Sequence, residues 1–431
     1  MPMPLLRSAR SRPGGARGEG ARGGEELALR RLDSGLGLTL LGLGLLLGLG
    51  SSCAALGAEP AGARGRGRVP RVSSQFVAPA SVLRVAWQRT LQPTVPFFSY
   101  HPQEFATAAA TADHQLVFIG SSEKTFYALR TRDGEVLWKR KLTGEVSSQP
   151  LVLAGGAVGP EAVVLVGDDD GVLTAIEAQT GAVRWTYRAR GPIHTQPVLS
   201  GGLVYITSSE GRVYGLDVRT GKWVWQYERE IPEGFAIRGS SGVLPVGSRV
   251  YVGFPDGYLA CLNAETGEVV WTRQLSGEVS RFTDVDGTPA VVGETLYVTC
   301  YSGGVYALDV KDGSTRWRYE LEAAGPLTVD ATQERIYVAS ASQGLYCLDS
   351  KGRKLWQQSF ARQGELSPPT LWGPYVLLSV AADGMYILDK KSGALLQFFD
   401  PGQGASARPL AHGDQVYILS NAGSFFALTT H

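Results

Sequence analysis

The segment RFTDVDGTP, Arg281 to Pro289, places two carboxylates two residues apart behind an arginine. Asp284 and Asp286 could ligate a hard cation, work as an acid pair, or hold charge-assisted hydrogen bonds to a partner. The same residues could simply fix a turn, because Asp ahead of Gly-Thr-Pro often bonds its own backbone. Two acids on one short loop do not by themselves make a glycosidase pair. The other polar groups add no catalytic pattern. GDDDG, with Asp168 to Asp170, lacks the downstream Glu of an EF-hand loop and reads as a solvated hairpin turn. The histidines at 101, 114, 194, 412 and 431 show neither HExxH nor HxH spacing. There is no GxSxG, and no Gly-rich run opens a helix to cradle a phosphate. Catalytic, cofactor-binding and metal-ligating residues are therefore not expected. Cys261, Cys300 and Cys347 form no CxxC pair; Cys261 and Cys347 stand at a repeated position that elsewhere is mostly Ala, as small core residues would.

The elements that must position Asp284 and Asp286 come from a repeat. The segments TFYALRTRDGEVLW, VLTAIEAQTGAVRW, RVYGLDVRTGKWVW, YLACLNAETGEVVW, GVYALDVKDGSTRW, GLYCLDSKGRKLW and GMYILDKKSGALLQ align, and SFFALTTH begins an eighth. Each is an alternating strand, a Thr-Gly, Asp-Gly, Ser-Gly or Lys-Gly turn, and a second strand. The second strand ends in Trp at 138, 185, 225, 271, 317 and 356, with Gln397 at the seventh position. Upstream of each unit lie two more short strands around a Gly-rich hairpin, such as TPAVVGETLYVTCYSGG. Four strands per repeat of roughly 40–45 residues predict a β-propeller. The fold class is all-β, with eight four-stranded antiparallel blades. The eighth unit stops before its Trp strand, and VLRVAWQRTL, Val82 to Leu91, supplies the missing strand with Trp87 in place. The ring should close by pairing the two ends of residues 82–431, leaving no open seam. The tryptophans are expected to pack between blades rather than to bind a ligand.

Composition separates the N-terminus from this ring. Of 41 basic and 40 acidic residues, seven Arg and four acids lie in residues 1–53, so the remainder carries 34 and 36. That near balance gives no electrostatic footprint for nucleic acid. Residues 1–53 combine Arg-rich sequence, the apolar run GLGLTLLGLGLLLGLG and small residues around Cys53, the layout of a secretory signal. The run is shorter than the about 20 residues a spanning helix needs. Cys53 sits where a bacterial lipoprotein carries its acylated cysteine, although Gly50 occupies the place of the usual Leu. The alternative is a cleaved signal and an unanchored periplasmic protein. Residues 54–81 are rich in Gly, Ala, Pro and Arg and read as a flexible tether with an r.m.s. span of about 30 Å.

The YALD…TG…W repeat is common to quinoprotein-like propellers and does not settle function. Two connections narrow it: GFAIRGSSG, Gly234 to Gly242, after the Trp225 strand, and RFTDVDGTPAVV after the Trp271 strand. With eight blades, a secretory leader and Cys53, residues 82–431 resemble the BamB family, lipoprotein propellers of the outer-membrane β-barrel assembly (BAM) machinery. The resemblance implies a non-catalytic scaffold without cofactor, lipid-anchored at the periplasmic face of the outer membrane. It would dock on a POTRA domain of BamA and meet other BAM subunits and nascent outer-membrane proteins. By position, it implies partner-binding roles for Phe235, Ile237 and Arg238 in the first connection, and for Asp284, Asp286 and Arg281 in the second. The chain departs from the family in its long leader, its lipobox, and Phe and Ile where leucines are usual. An Arg238 bridge to either aspartate, bracing two blades, is the structural alternative. Two other functions share the repeat. A pyrroloquinoline-quinone dehydrogenase would be larger and carry adjacent cysteines and calcium ligands, and no Cys-Cys pair occurs here. A general periplasmic sensor or scaffold would share the fold without the BamA contact.

Overall fold

The computed structural model describes residues 81–91, 104–156, 158–231, 241–275, 283–360 and 365–430. Its 32 strands form eight four-stranded antiparallel sheets, seven of them continuous in sequence. Blade five is representative, with strands Ala290–Val292, Thr295–Cys300, Gly304–Asp309 and Thr315–Tyr319. The two middle strands, TLYVTC and GVYALD, are buried along almost their whole length. Their β-branched and aromatic residues suit a pleated strand packed on both faces. The short first strands lie against those of neighbouring blades, as Val198–Ser200 does against Leu244–Val246, which puts them at the ring axis. The fourth strands, such as Val269–Gln274, form the rim and are largely exposed.

The core is a set of layers between blades rather than one central mass. Tyr205, Val213 and Trp225 of blade three, for example, pack on Val250, Val252 and Leu262 of blade four. Each tryptophan at the repeated position meets the turn glycine of the next blade. A Cβ on Gly267 would lie 2.4 Å from Trp225, and one on Gly313 would lie 2.8 Å from Trp271. Those glycines have φ of +74° and +71°, so the Thr-Gly and Asp-Gly turns satisfy a backbone need and a packing need together. The indole N–H of Trp225 donates to Ala264 O at 2.9 Å, and Tyr205 donates to the same carbonyl at 3.0 Å.

Closure follows the expected route. Leu83–Thr90 pairs antiparallel with Ser424–Thr430 as the outermost strand of blade eight. Trp87 then packs on Gly134 of blade one as the other tryptophans do. Blade eight has no turn glycine for blade seven to use, and there Gln397 replaces Trp. Its amide accepts from Leu83 N and donates to Leu83 O, both at 2.8 Å. The three described cysteines are free and buried. Burial pushes the thiol of Cys261 up to about 11 and that of Cys347 up to about 12, which keeps both protonated and inert.

Candidate functional site

The two connections leave the rim strands Trp223–Glu228 of blade three and Val269–Gln274 of blade four. Phe235, Ile237, Arg238 and Arg281 lie outside the described residues, as does Cys53. What is described is the root of the first connection, the second connection from Thr283 onward, and the blade-four hairpin at Phe254 to Gly257.

That hairpin holds the second connection. Thr283 Oγ1 donates to Pro255 O at 3.2 Å, and Val285 N donates to Phe254 O at 3.1 Å. Val285 is fully buried against Gly253, where a Cβ would stand 2.3 Å from the valine Cγ1. On the other side, Tyr301 N donates to Asp284 O at 2.9 Å. These contacts put the connection on the same face of the blade as its middle-strand hairpin.

The two aspartates part company here. Asp284 is 1% exposed, whereas Asp286 is partly exposed and Thr288, two residues on, is exposed. Neither aspartate is free of partners. Asp284 is therefore the more deeply buried of the two, and Asp286 keeps partial exposure although its Oδ1 is buried as well. Exposure rises from Asp284 through Asp286 to Thr288, all on one side of the chain, as the connection leaves the blade-four hairpin that holds Thr283 and Val285.

The root of the first connection carries a cluster that the sequence reading missed. Arg229 Nε donates to Asp256 Oδ2 at 2.5 Å, and its guanidinium lies 3.8 Å over the Tyr258 ring. Burial alone would lower the Arg229 pKa, but its hydrogen bond and charge contact with Asp256 leave it raised. The blade-four hairpin is therefore tied to blade three by Arg229 and to blade five by Thr283. The only sequence signal was the Pro-Asp-Gly hairpin itself.

The GDDDG turn needs correcting. Asp168 is fully buried, accepting from Gly144 N at 3.0 Å and Val172 N at 2.8 Å, and from the Thr143 hydroxyl. Asp169 accepts from Ser147 Oγ at 2.7 Å and lies 3.6 Å from His194 Nε2; burial raises its pKa. Only Asp170 is solvated. The first carboxylate closes the hairpin because unpaired backbone N–H groups there would be costly.

Comparison with known proteins adds the following. The family model described as outer membrane protein assembly factor BamB matches residues 84–158 and 152–352. The BamB of Yersinia pestis is 26% identical over 298 residues, 68% of this chain and 63% of that protein. The BamB of Vibrio cholerae is 34% identical over 241 residues, 55% and 61% of the two chains. The matches thus span less than two thirds of these relatives. Among solved structures, BamB from Moraxella catarrhalis superposes with a TM-score of 0.67 at 24% identity, covering 81% of this chain and all of that one. A quinohemoprotein alcohol dehydrogenase from Pseudomonas putida reaches 0.64 at 14% identity, covering 82% and 77%. Both structural likenesses are likenesses of fold.

Proposed function

The chain belongs to the family of the outer membrane protein assembly factor BamB, and from that membership we propose that it is a non-catalytic scaffold of the BAM machinery. It docks on a POTRA domain of BamA through the face shared by blades three, four and five, and so assists the assembly of outer-membrane proteins alongside other BAM subunits. The observation that carries this reading is that the family match runs through both connections. Phe235 and Ile237 supply the apolar centre, and Arg238, Arg281 and Asp286 the oriented polar contacts, the usual anatomy of a hot spot. Asp284 has a supporting role, because it is buried. Residues 1–53 act as the signal, Cys53 as the lipid anchor in the outer membrane, and residues 54–81 as the tether on the periplasmic side.

A pull-down of the chain with the periplasmic part of BamA tests the docking. Arg238→Ala and Asp286→Ala should each weaken binding at least tenfold, about 1.4 kcal/mol, with little change in Tm. Asp284→Ala should instead lower Tm. If the Arg238 and Asp286 variants melt as early as Asp284→Ala, both residues brace blades; if the unmodified chain does not bind, the scaffold reading fails. Acyl labelling retained in Cys53→Ser would remove the anchor.

A further inference from the structure

One position of the inner strands breaks the neutrality of the ring axis. Two residues before the first strand opposes its neighbour, seven blades carry Thr, Gln, Gly or Pro, among them Gln149, Gln196 and Thr288. Blade eight carries Arg408, two residues before Leu410, which opposes Tyr417. Its Nε donates to Thr370 Oγ1 at 3.0 Å, on the inner strand of blade seven, and its Nη2 to Pro369 O at 3.1 Å, just ahead of that strand. The Thr370 hydroxyl in turn donates to Pro409 O at 2.8 Å, which holds the acceptor in place.

The bracing contact does not need a charge. Gln149 makes the equivalent bond to Ala108 O, and Gln196 to Pro150 O, each at 3.2 Å with a neutral amide. Arg408 does the same job with a cation set among packed inner strands, and burial pulls its pKa below that of ordinary arginine. No carboxylate among the described residues pairs with it. A guanidinium has five N–H donors and stays charged, so donors remain and the charge is uncompensated by the protein. Such a charge, set among packed inner strands, favours a counter-ion with acceptor oxygens. Arg408 is still partly exposed, so solvent reaches it.

We propose that Arg408, oriented by Thr370 and Pro369, forms an anion site on the ring axis that takes a small carboxylate or phosphate. The site is separate from the docking face and stands whether or not that face binds BamA. Isothermal titration calorimetry of the full chain with citrate and with phosphate, at constant ionic strength, tests it and tells the two chemistries apart. Saturable binding of at least one anion is expected, at least tenfold weaker in Arg408→Gln and unchanged in Arg132→Gln, whose side chain is 72% exposed. Equal binding by the chain and Arg408→Gln, or no saturable binding of either anion, overturns the proposal. Should Arg408→Gln not fold, the ¹⁵N resonance of Arg408 Nε in the unmodified chain decides: it must shift with the bound anion, and a resonance that does not move overturns the site.

Discussion

The joint between blades seven and eight differs from the joints around the rest of the ring. Elsewhere an indole covers a turn glycine of the next blade, as Trp225 covers Gly267 and Trp87 covers Gly134. Between seven and eight, Gln397 grips the backbone of Leu83 by two hydrogen bonds. The difference follows from where the chain ends meet. The outer strand of blade eight arrives from the N-terminal side, so no hairpin turn exists to offer a glycine. An indole would face a strand edge there, and an amide can satisfy that edge through its N–H and C=O. A repeat protein can thus exchange an apolar joint for a polar one where its topology removes the apolar partner.

Removing the closing strand is the strongest way to break this comparison. Deletion of residues 82–91 takes away the outermost strand of blade eight, the Trp87 contact and the Gln397 bonds together. Loss of a cooperative thermal transition is expected, and an unchanged melt would show that the seam is not needed for the ring. Single-site changes then sharpen it. Trp225→Ala empties an apolar joint of a 4% exposed side chain and should destabilise by about 3–5 kcal/mol. Gln397→Ala leaves the Leu83 N–H and C=O without their partners and should cost about 1–3 kcal/mol in denaturant unfolding. A larger loss from Gln397→Ala than from Trp225→Ala would reverse the ranking of the two joints.

The smallest effect concerns pH, at the neighbouring joint of blades eight and one. The His114 and His412 rings lie 4.1 Å apart, and His412 Nε2 bonds Thr111 O at 3.0 Å. Burial, and then the nearby His114, lower the His412 pKa below its ordinary 6.5. In the unfolded chain His412 therefore takes up its proton first. This contribution to stability is present above pH 6.5, declines below it, and is lost as pH falls through the folded value. Tm should fall modestly more between pH 7 and pH 5 in the unmodified chain than in His412→Gln. Equal slopes would mean that the pair does not titrate in this range.

Much of the architecture was legible because a propeller writes itself as a local period. TLYVTC and GVYALD are buried strands by their own residue types, and the Trp and turn Gly recur at fixed places within each repeat. Even the ring closure could be read, since Trp87 stood alone in a strand lacking its blade. The candidate site was legible only as a pair of connections. The spacing of Asp284 and Asp286 could not say which carboxylate faces inward. That depends on how the connection is held between the blade-four hairpin, through Val285 N and Phe254 O, and Tyr301 of blade five, through Asp284 O. The Arg229–Asp256 tie and the inward turn of Asp168 escaped for the same reason.

Residue order alone therefore determined the blade count, the strand order and the route of closure, because alternation along a strand and the period of the repeat need no distant partner. The tertiary structure decided the side-chain partnerships. Gln397 meets Leu83 across 314 residues and His412 meets Thr111 across 301, while Arg408 reaches Thr370 from the next blade. Such pairs exist only once blades have packed, and the first two only once the ring has closed, since packing sets which side chains share a joint.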